Sequence, residues 1–286
     1  MSVPASLTDR PEEITQASGS TFLWPMLLLP PAKRRAMYAL YAFCRQVDDI
    51  VDLPGEPDVK RRRLADWRTR VRGLYAGGVA GDPVASARAR AIQRYHLPRG
   101  ELEAVIDGVT MDLVGMRAPA LDELRVYCRR VAGAVGLLAI RIFDRADEET
   151  EAFALALGDA LQLTNILRDL LPDSTVDRLY VPREYLVRAG ILDTDPKSVL
   201  TRPGFGKACT LLADEAERRF ADAEDLLRRW PSRRLWSARA MMVLYRRLLV
   251  RLRHRGWEEL DTVPRAGSFE AAAVTLRCLL GRPPPA

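Results

Sequence analysis

The sequence is poor in the groups that most often do covalent chemistry or staple a small fold: 286 residues carry two histidines, His96 and His254, and four cysteines. Cys44, Cys128, Cys209 and Cys278 lie far apart with no paired metal-ligand spacing, so buried free thiols are expected, without disulfide or zinc. Long apolar runs are missing too: the stretches 26–29 and 135–140 fall far short of the roughly 20 residues that span a bilayer. Residues 1–16 are polar and include Asp9, Glu12 and Glu13, unlike a secretory signal, which points to a cytoplasmic address. Lysine is scarce. Only Lys33, Lys60, Lys197 and Lys207 stand among 44 basic residues, so the net charge of +6 is carried by arginine. Guanidinium suits phosphate recognition, but much of it, as in Arg61 to Arg63 or Arg246 to Arg255, falls on polar helix faces where solvated surface is the ordinary expectation. The arginines are dispersed and accompany no nucleic-acid motif, so no nucleic-acid partner is expected.

Strand alternation is also nearly absent, apart from a short extended piece at 179–181, and the class is all-α. A long helix opens at Pro31, runs through Met37, Leu40, Tyr41, Cys44 and Val47 at three- and four-residue spacing, and stops at Leu53-Pro54-Gly55. Further helices are predicted over 59–75, 83–95, 99–113, 121–142, 148–170, 203–230 and 233–255, separated by short breaks such as Gly77-Gly78 and His96-Leu97-Pro98. Apolar content of 48% in a chain of this length supports one large core. The expected organisation is a flexible segment 1–17, one domain over 18–280 and a disordered, proline-rich tail 281–286.

Two segments interrupt apolar stripes with acids. In the first, Asp48 and Asp52 are four apart, with Arg45 and Tyr41 further back on the same helical face. In the second, Asn165, Asp169 and Asp173 fall four apart beside Gln162 and Arg168. Taken singly, each is most simply a solvated face. Together they share a design: like charges set into apolar stripes, with an arginine and an uncharged hydrogen-bonding side chain among them. Such charges repel unless something positive lies between them. Hard oxygen ligands suit Mg²⁺, which keeps several waters and commonly completes its shell with substrate phosphates. Two such faces opposed across a cavity would hold a diphosphate.

At these residues the chain resembles the squalene/phytoene synthase family. Five blocks carry the likeness in order: Gly19-Ser20-Thr21-Phe22 before Leu28-Leu29-Pro30; the helix from Tyr41 to Asp52; Tyr127-Cys128 with Val131-Ala132-Gly133-Ala134-Val135-Gly136; the helix from Asn165 to Asp173; and Arg178-Leu179-Tyr180-Val181-Pro182. The wording around 18–24, 127–143 and 156–170 is most similar to the bacterial branch that makes presqualene diphosphate for hopanoid synthesis. The resemblance implies a single-domain terpenoid-synthase helical bundle with a central cavity, and a Mg²⁺-dependent prenyltransferase that condenses two farnesyl diphosphates head to head; Mn²⁺ could substitute, and NADPH is not expected. It implies Asp48, Asp52, Asn165, Asp169 and Asp173 as metal ligands, with Tyr127 and Arg45 among the catalytic residues. Ser20, Phe22, Tyr41, Arg45, Gln162, Asn165, Arg168, Tyr180 and Tyr245 would contact substrate. Phytoene synthase, a full squalene synthase, or a non-catalytic binding factor on the same fold are the alternatives. Peripheral contact with the inner face of the membrane, and with downstream enzymes of squalene and hopanoid synthesis, would suit a lipidic product. Gly133 and Gly136 are read as close helix packing. Pro172 inside the second acidic cluster is expected to displace Asp173 from its helical position.

Overall fold

The computed structural model describes residues 11–17, 23–77, 83–144, 146–229 and 233–284. Its helices in chain order are α1 (Pro11–Ala17), α2 (Leu23–Leu27), α3 (Pro31–Asp52), α4 (Pro57–Tyr75), α5 (Pro83–Tyr95), α6 (Arg99–Val114), α7 (Leu121–Cys128) and α8 (Ala134–Phe143). They continue with α9 (Glu148–Arg168), α10 (Leu170–Thr175), α11 (Arg183–Arg188), α12 (Pro196–Leu200), α13 (Phe205–Arg229), α14 (Trp236–Arg255) and α15 (Ser268–Leu279). The all-α expectation holds. Among the described residues the only β-type pairing is an isolated parallel bridge between Arg117 and Leu179, at the short extended piece read from the sequence.

Local chemistry explains the main boundaries. α3 opens with Pro31 in its first turn, where a missing N–H costs nothing, and ends at Leu53, which is extended (ψ 149°) ahead of Pro54. α9 starts with a reciprocal capping box, Asp147 accepting from the Thr150 N–H while Thr150 accepts from the Asp147 N–H. The helix expected over 121–142 is instead two helices joined by a π-helical turn, Arg129–Gly133. Opposite that turn lies Gly108 of α6, where an added Cβ would stand 2.5 Å from Val131 Cγ1. Of the segment expected to be flexible, residues 11–17 form α1, whose Ile14 is buried with Ala42 and Val84. The chain past residue 257 folds back as α15, a helix the sequence reading does not contain.

α9 runs through the centre, packed along α13 and against α8 and α14. Its approach to the preceding elements is close because small residues permit it. An added Cβ at Gly136 would lie 2.7 Å from the Ala154 carbonyl oxygen, and one at Gly158 would lie 3.0 Å from the Ala132 carbonyl. The close-packing reading of Gly136 is thereby met. With α3 packed on α6 and α8, these contacts set α3 and α9 on facing sides of an internal cavity.

Candidate active site

The cavity has two compartments. The polar one, about 310 Å³, is lined by Asp48 and Asp52 of α3, Asp112 of α6, Tyr127 of α7, Gln162, Asn165 and Arg168 of α9, then Asp169, Asp173, Arg178 and Tyr180. The apolar one, about 270 Å³, is lined mainly by aliphatic and aromatic side chains, among them Met26, Leu40, Phe143, Leu157 and Met241. Both share Cys44, Asp48, Val131, Gln162 and Asn165, so the acids stand over an apolar chamber. Tyr41 belongs to the apolar side. A larger hollow of about 710 Å³ between α1, α3 and α5 contains none of the acidic-cluster residues.

Ion pairs fix the arginines that face the polar compartment. Arg168 binds Asp169 with its Nε at 2.8 Å and donates to the Tyr245 hydroxyl oxygen behind it. Arg178 binds Asp52 at 2.8 Å. Burial, and then Asp52 and Asp112 nearby, push the Asp48 carboxyl up to about 8; burial followed by Asp169 does the same to Asp173. Carboxylates so placed are short of positive charge. Asn165 Oδ1 is buried with no hydrogen-bond partner among the described residues, which is costly for an amide oxygen unless a ligand supplies the missing contact. Among the described residues no three His, Cys, Asp or Glu side chains close into a ready metal cage. The donor set is instead one of separated hard oxygens, which fits a cation that takes one or two carboxylates and fills its shell from water and phosphate.

Several expected residues are brought together and others are not. Asp48, Asp52, Tyr127, Gln162, Asn165, Arg168, Asp169, Asp173 and Tyr180 share the polar compartment. Arg45 lines neither compartment: it pairs with Asp49 at 2.8 Å, one position round the helix from Asp48. Tyr245 is buried and lines neither compartment; it accepts from Arg168, which lines the polar one. Ser20 and Phe22 lie outside the described residues.

The second acidic cluster is not one continuous helix. α9 ends at Arg168 and Asp169 stands between helices at φ −102°, ψ 14°, because Pro172 has no N–H for the Arg168 carbonyl and its ring excludes that oxygen. The break stops there. The Asp173 N–H donates to the Asp169 carbonyl at 2.8 Å and Asp173 faces the compartment, so Pro172 does not unseat it.

Asp112 and Arg178 are site residues that the sequence reading does not assign. Asp112 accepts from Tyr180 at 2.6 Å and Tyr127 at 3.1 Å, and these rings stack with centroids 5.1 Å apart. Burial, with Asp112 beside them, holds both phenols far above their usual value, so they serve as donors. The signal for Asp112 is its place one turn beyond Val109 and two beyond Val105, both of which line the same compartment.

Comparison with known proteins agrees with this arrangement. The model of the squalene/phytoene synthase family matches residues 15–268. The chain is 40% identical to presqualene diphosphate synthase of Zymomonas mobilis, over 88% of this chain and 86% of that enzyme. It is 37% identical to presqualene diphosphate synthase of Sinorhizobium fredii, over 92% and 94%. The crystal structure of squalene synthase HpnC from Alicyclobacillus acidocaldarius superposes with a TM-score of 0.77 at 27% identity, covering 86% of this chain and 92% of that one.

Proposed function

The chain belongs to the squalene/phytoene synthase family, and on that premise we propose that it joins two farnesyl diphosphates head to head, giving presqualene diphosphate and releasing one diphosphate. The observation that carries this reading is the divided cavity, in which carboxylates and two guanidiniums adjoin an apolar chamber through Asp48, Gln162 and Asn165. A substrate with a diphosphate head and a long apolar tail matches both parts. Relatives of similar length that carry this name support the choice of reaction.

Asp48, Asp52, Asn165, Asp169 and Asp173 would hold Mg²⁺, which when bound screens the diphosphate charges and eases departure of the leaving group. Arg168 and Arg178, held by carboxylates at the rim, face the charge that builds on that group. Departure leaves an allylic cation. A double bond of the second farnesyl chain attacks it, and proton loss then closes the cyclopropane, the C–H electron pair becoming the new ring bond. The apolar chamber keeps bulk water from the cation.

Product analysis tests the proposal. Purified protein with farnesyl diphosphate and Mg²⁺ should yield presqualene diphosphate by mass spectrometry, whether or not NADPH is added. Squalene formed only with NADPH, or phytoene formed from geranylgeranyl diphosphate at higher kcat/KM, would overturn it in favour of a neighbouring reaction. EDTA should abolish turnover and Mg²⁺ restore it, and Asp48→Asn or Asp169→Asn should each cost about 100-fold or more in rate with the fold kept. Undiminished turnover in EDTA would sink the ligand assignment.

A further inference from the structure

α15 is apolar on two sides. Its inner side, Ala271, Val274 and Cys278, is buried against Ala240, Val243 and Leu244 of α14, with Trp24 and Trp236 packed alongside. Its outer side presents Phe269, Leu276 and, just past the helix end, Leu280, which are 89%, 51% and 62% exposed. Their spacing of seven and four residues makes a single stripe. The helix has only two charged side chains, Glu270 and Arg277, and Glu270 is engaged by Arg251 at 2.7 Å and Arg247 at 3.3 Å. A helix apolar on two sides calls for cover on both, and here the outer side is exposed.

The C-terminal end of this stripe is ringed by arginine. Arg233 lies beside Gly281, Arg239 and Arg277 are close enough to act on the Cys278 thiol, and the Arg282 N–H donates to the Arg277 carbonyl at 2.9 Å. None of Arg233, Arg239, Arg277 and Arg282 has a carboxylate partner among the described residues, whereas Arg246, Arg247, Arg251 and Arg253 nearby are all paired. The same scaffold reaches the cavity. α15 rests on α2 and α14, and Pro25 and Met26 of α2 with Ser237, Ala238 and Met241 of α14 line the apolar chamber.

We propose that the outer face of α15 docks on an anionic lipid bilayer, Phe269, Leu276 and Leu280 entering the interface and the arginine ring meeting the headgroups. A second copy of the chain would also cover apolar side chains, but a two-fold contact brings together two copies of the same patch, each carrying these four arginines without a carboxylate partner among the described residues. An anionic surface neutralises all four. Among the described residues no helix is long and apolar enough to cross a membrane, so this contact is peripheral. Its use rests on the reaction proposed above, whose substrate tails and product are lipids held on the other side of α2 and α14; the docking itself does not depend on that reaction.

Co-sedimentation of the full chain with vesicles decides the matter. Binding is expected to phosphatidylcholine mixed with phosphatidylglycerol, not to phosphatidylcholine alone, and to weaken with salt. Arg277→Gln with Arg282→Gln should lower it about 30-fold, and Phe269→Ser with Leu276→Ser by at least about tenfold, while both variants turn over detergent-dispersed substrate at the parent rate. Equal binding to neutral vesicles, or variants that bind like the parent, would overturn the proposal. So would a dimer in sedimentation velocity that dissociates on Phe269→Ser with Leu276→Ser, which assigns the stripe to a second copy. Vesicle binding is scored without turnover, so an inactive chain that binds sinks the reaction and leaves the surface standing.

Discussion

At Asp112 one carboxylate accepts from two phenols, Tyr180 and Tyr127. An amide in its place keeps an oxygen for one phenol but turns a donor toward the other, so the stacked pair loses one of its two anchors. Losing a hydrogen bond to a charged acceptor costs about 1.5–3 kcal/mol. If the phenols are needed in register, Asp112→Asn should therefore lower kcat about 10- to 100-fold, with KM for farnesyl diphosphate changed only a few-fold and urea unfolding close to the parent. Equal losses in kcat and unfolding stability would make Asp112 a structural residue and nothing more. Asp112 shows why part of the site is illegible in sequence. A paired acid announces itself by spacing, as Asp48 does with Asp52, whereas a lone aspartate at the end of a helix carries no partner within its own element. Its partners come from residues 15 and 68 positions away. Arg45 shows a second limit: helical spacing sets it one turn before both Asp48 and Asp49, and packing turns its ion pair to Asp49.

Helix boundaries were readable because prolines, capping residues and apolar stripes act locally, as at Pro31 and Leu53. The π turn at Arg129–Gly133 and the whole of α15 were not. The first answers to a backbone approach from α6, and the second has no polar stripe from which a period can be read. Close approach between elements gives a prediction with opposite signs at two glycines. Within a helix, alanine is favoured over glycine by roughly 1 kcal/mol. Gly73 in α4 has nothing within 4 Å of an added Cβ, so Gly73→Ala should stabilise by up to about that amount. Gly136 faces the Ala154 carbonyl oxygen at 2.7 Å, and backbone cannot yield as a side-chain tip can. Overpacking there costs about 1–3 kcal/mol, more than propensity returns. Gly136→Ala should shift the urea midpoint down and Gly73→Ala shift it up; midpoints that move together would show that α8 and α9 are not in such close contact.

At the scale of the whole molecule, buried acids with raised carboxyls make stability fall as pH rises, and Asp159 offers a clean test because it lies on α9 away from the polar compartment. Burial raises its carboxyl from 3.8 to about 6, although Arg219 stands 3.8 Å away and pulls the other way. Below about pH 4 the group is protonated in both folded and unfolded chains and costs nothing. Between about pH 4 and 6 the unfolded chain releases its proton first, so the folded state binds more protons and stability falls as pH rises. The loss is complete above the folded value. A shift of this size, with the side chain 29% exposed, is worth about 1–2 kcal/mol. Asp159→Asn removes the titrating group and leaves Arg219 its contacts with Glu215 and Asp222. The stability difference between Asp159→Asn and the parent, from urea unfolding, should therefore move in favour of the variant by that amount as the buffer is taken from pH 4 to pH 7. Parallel stability curves for the two proteins across this range would mean that the carboxyl is solvated well enough to titrate as it does in the unfolded chain.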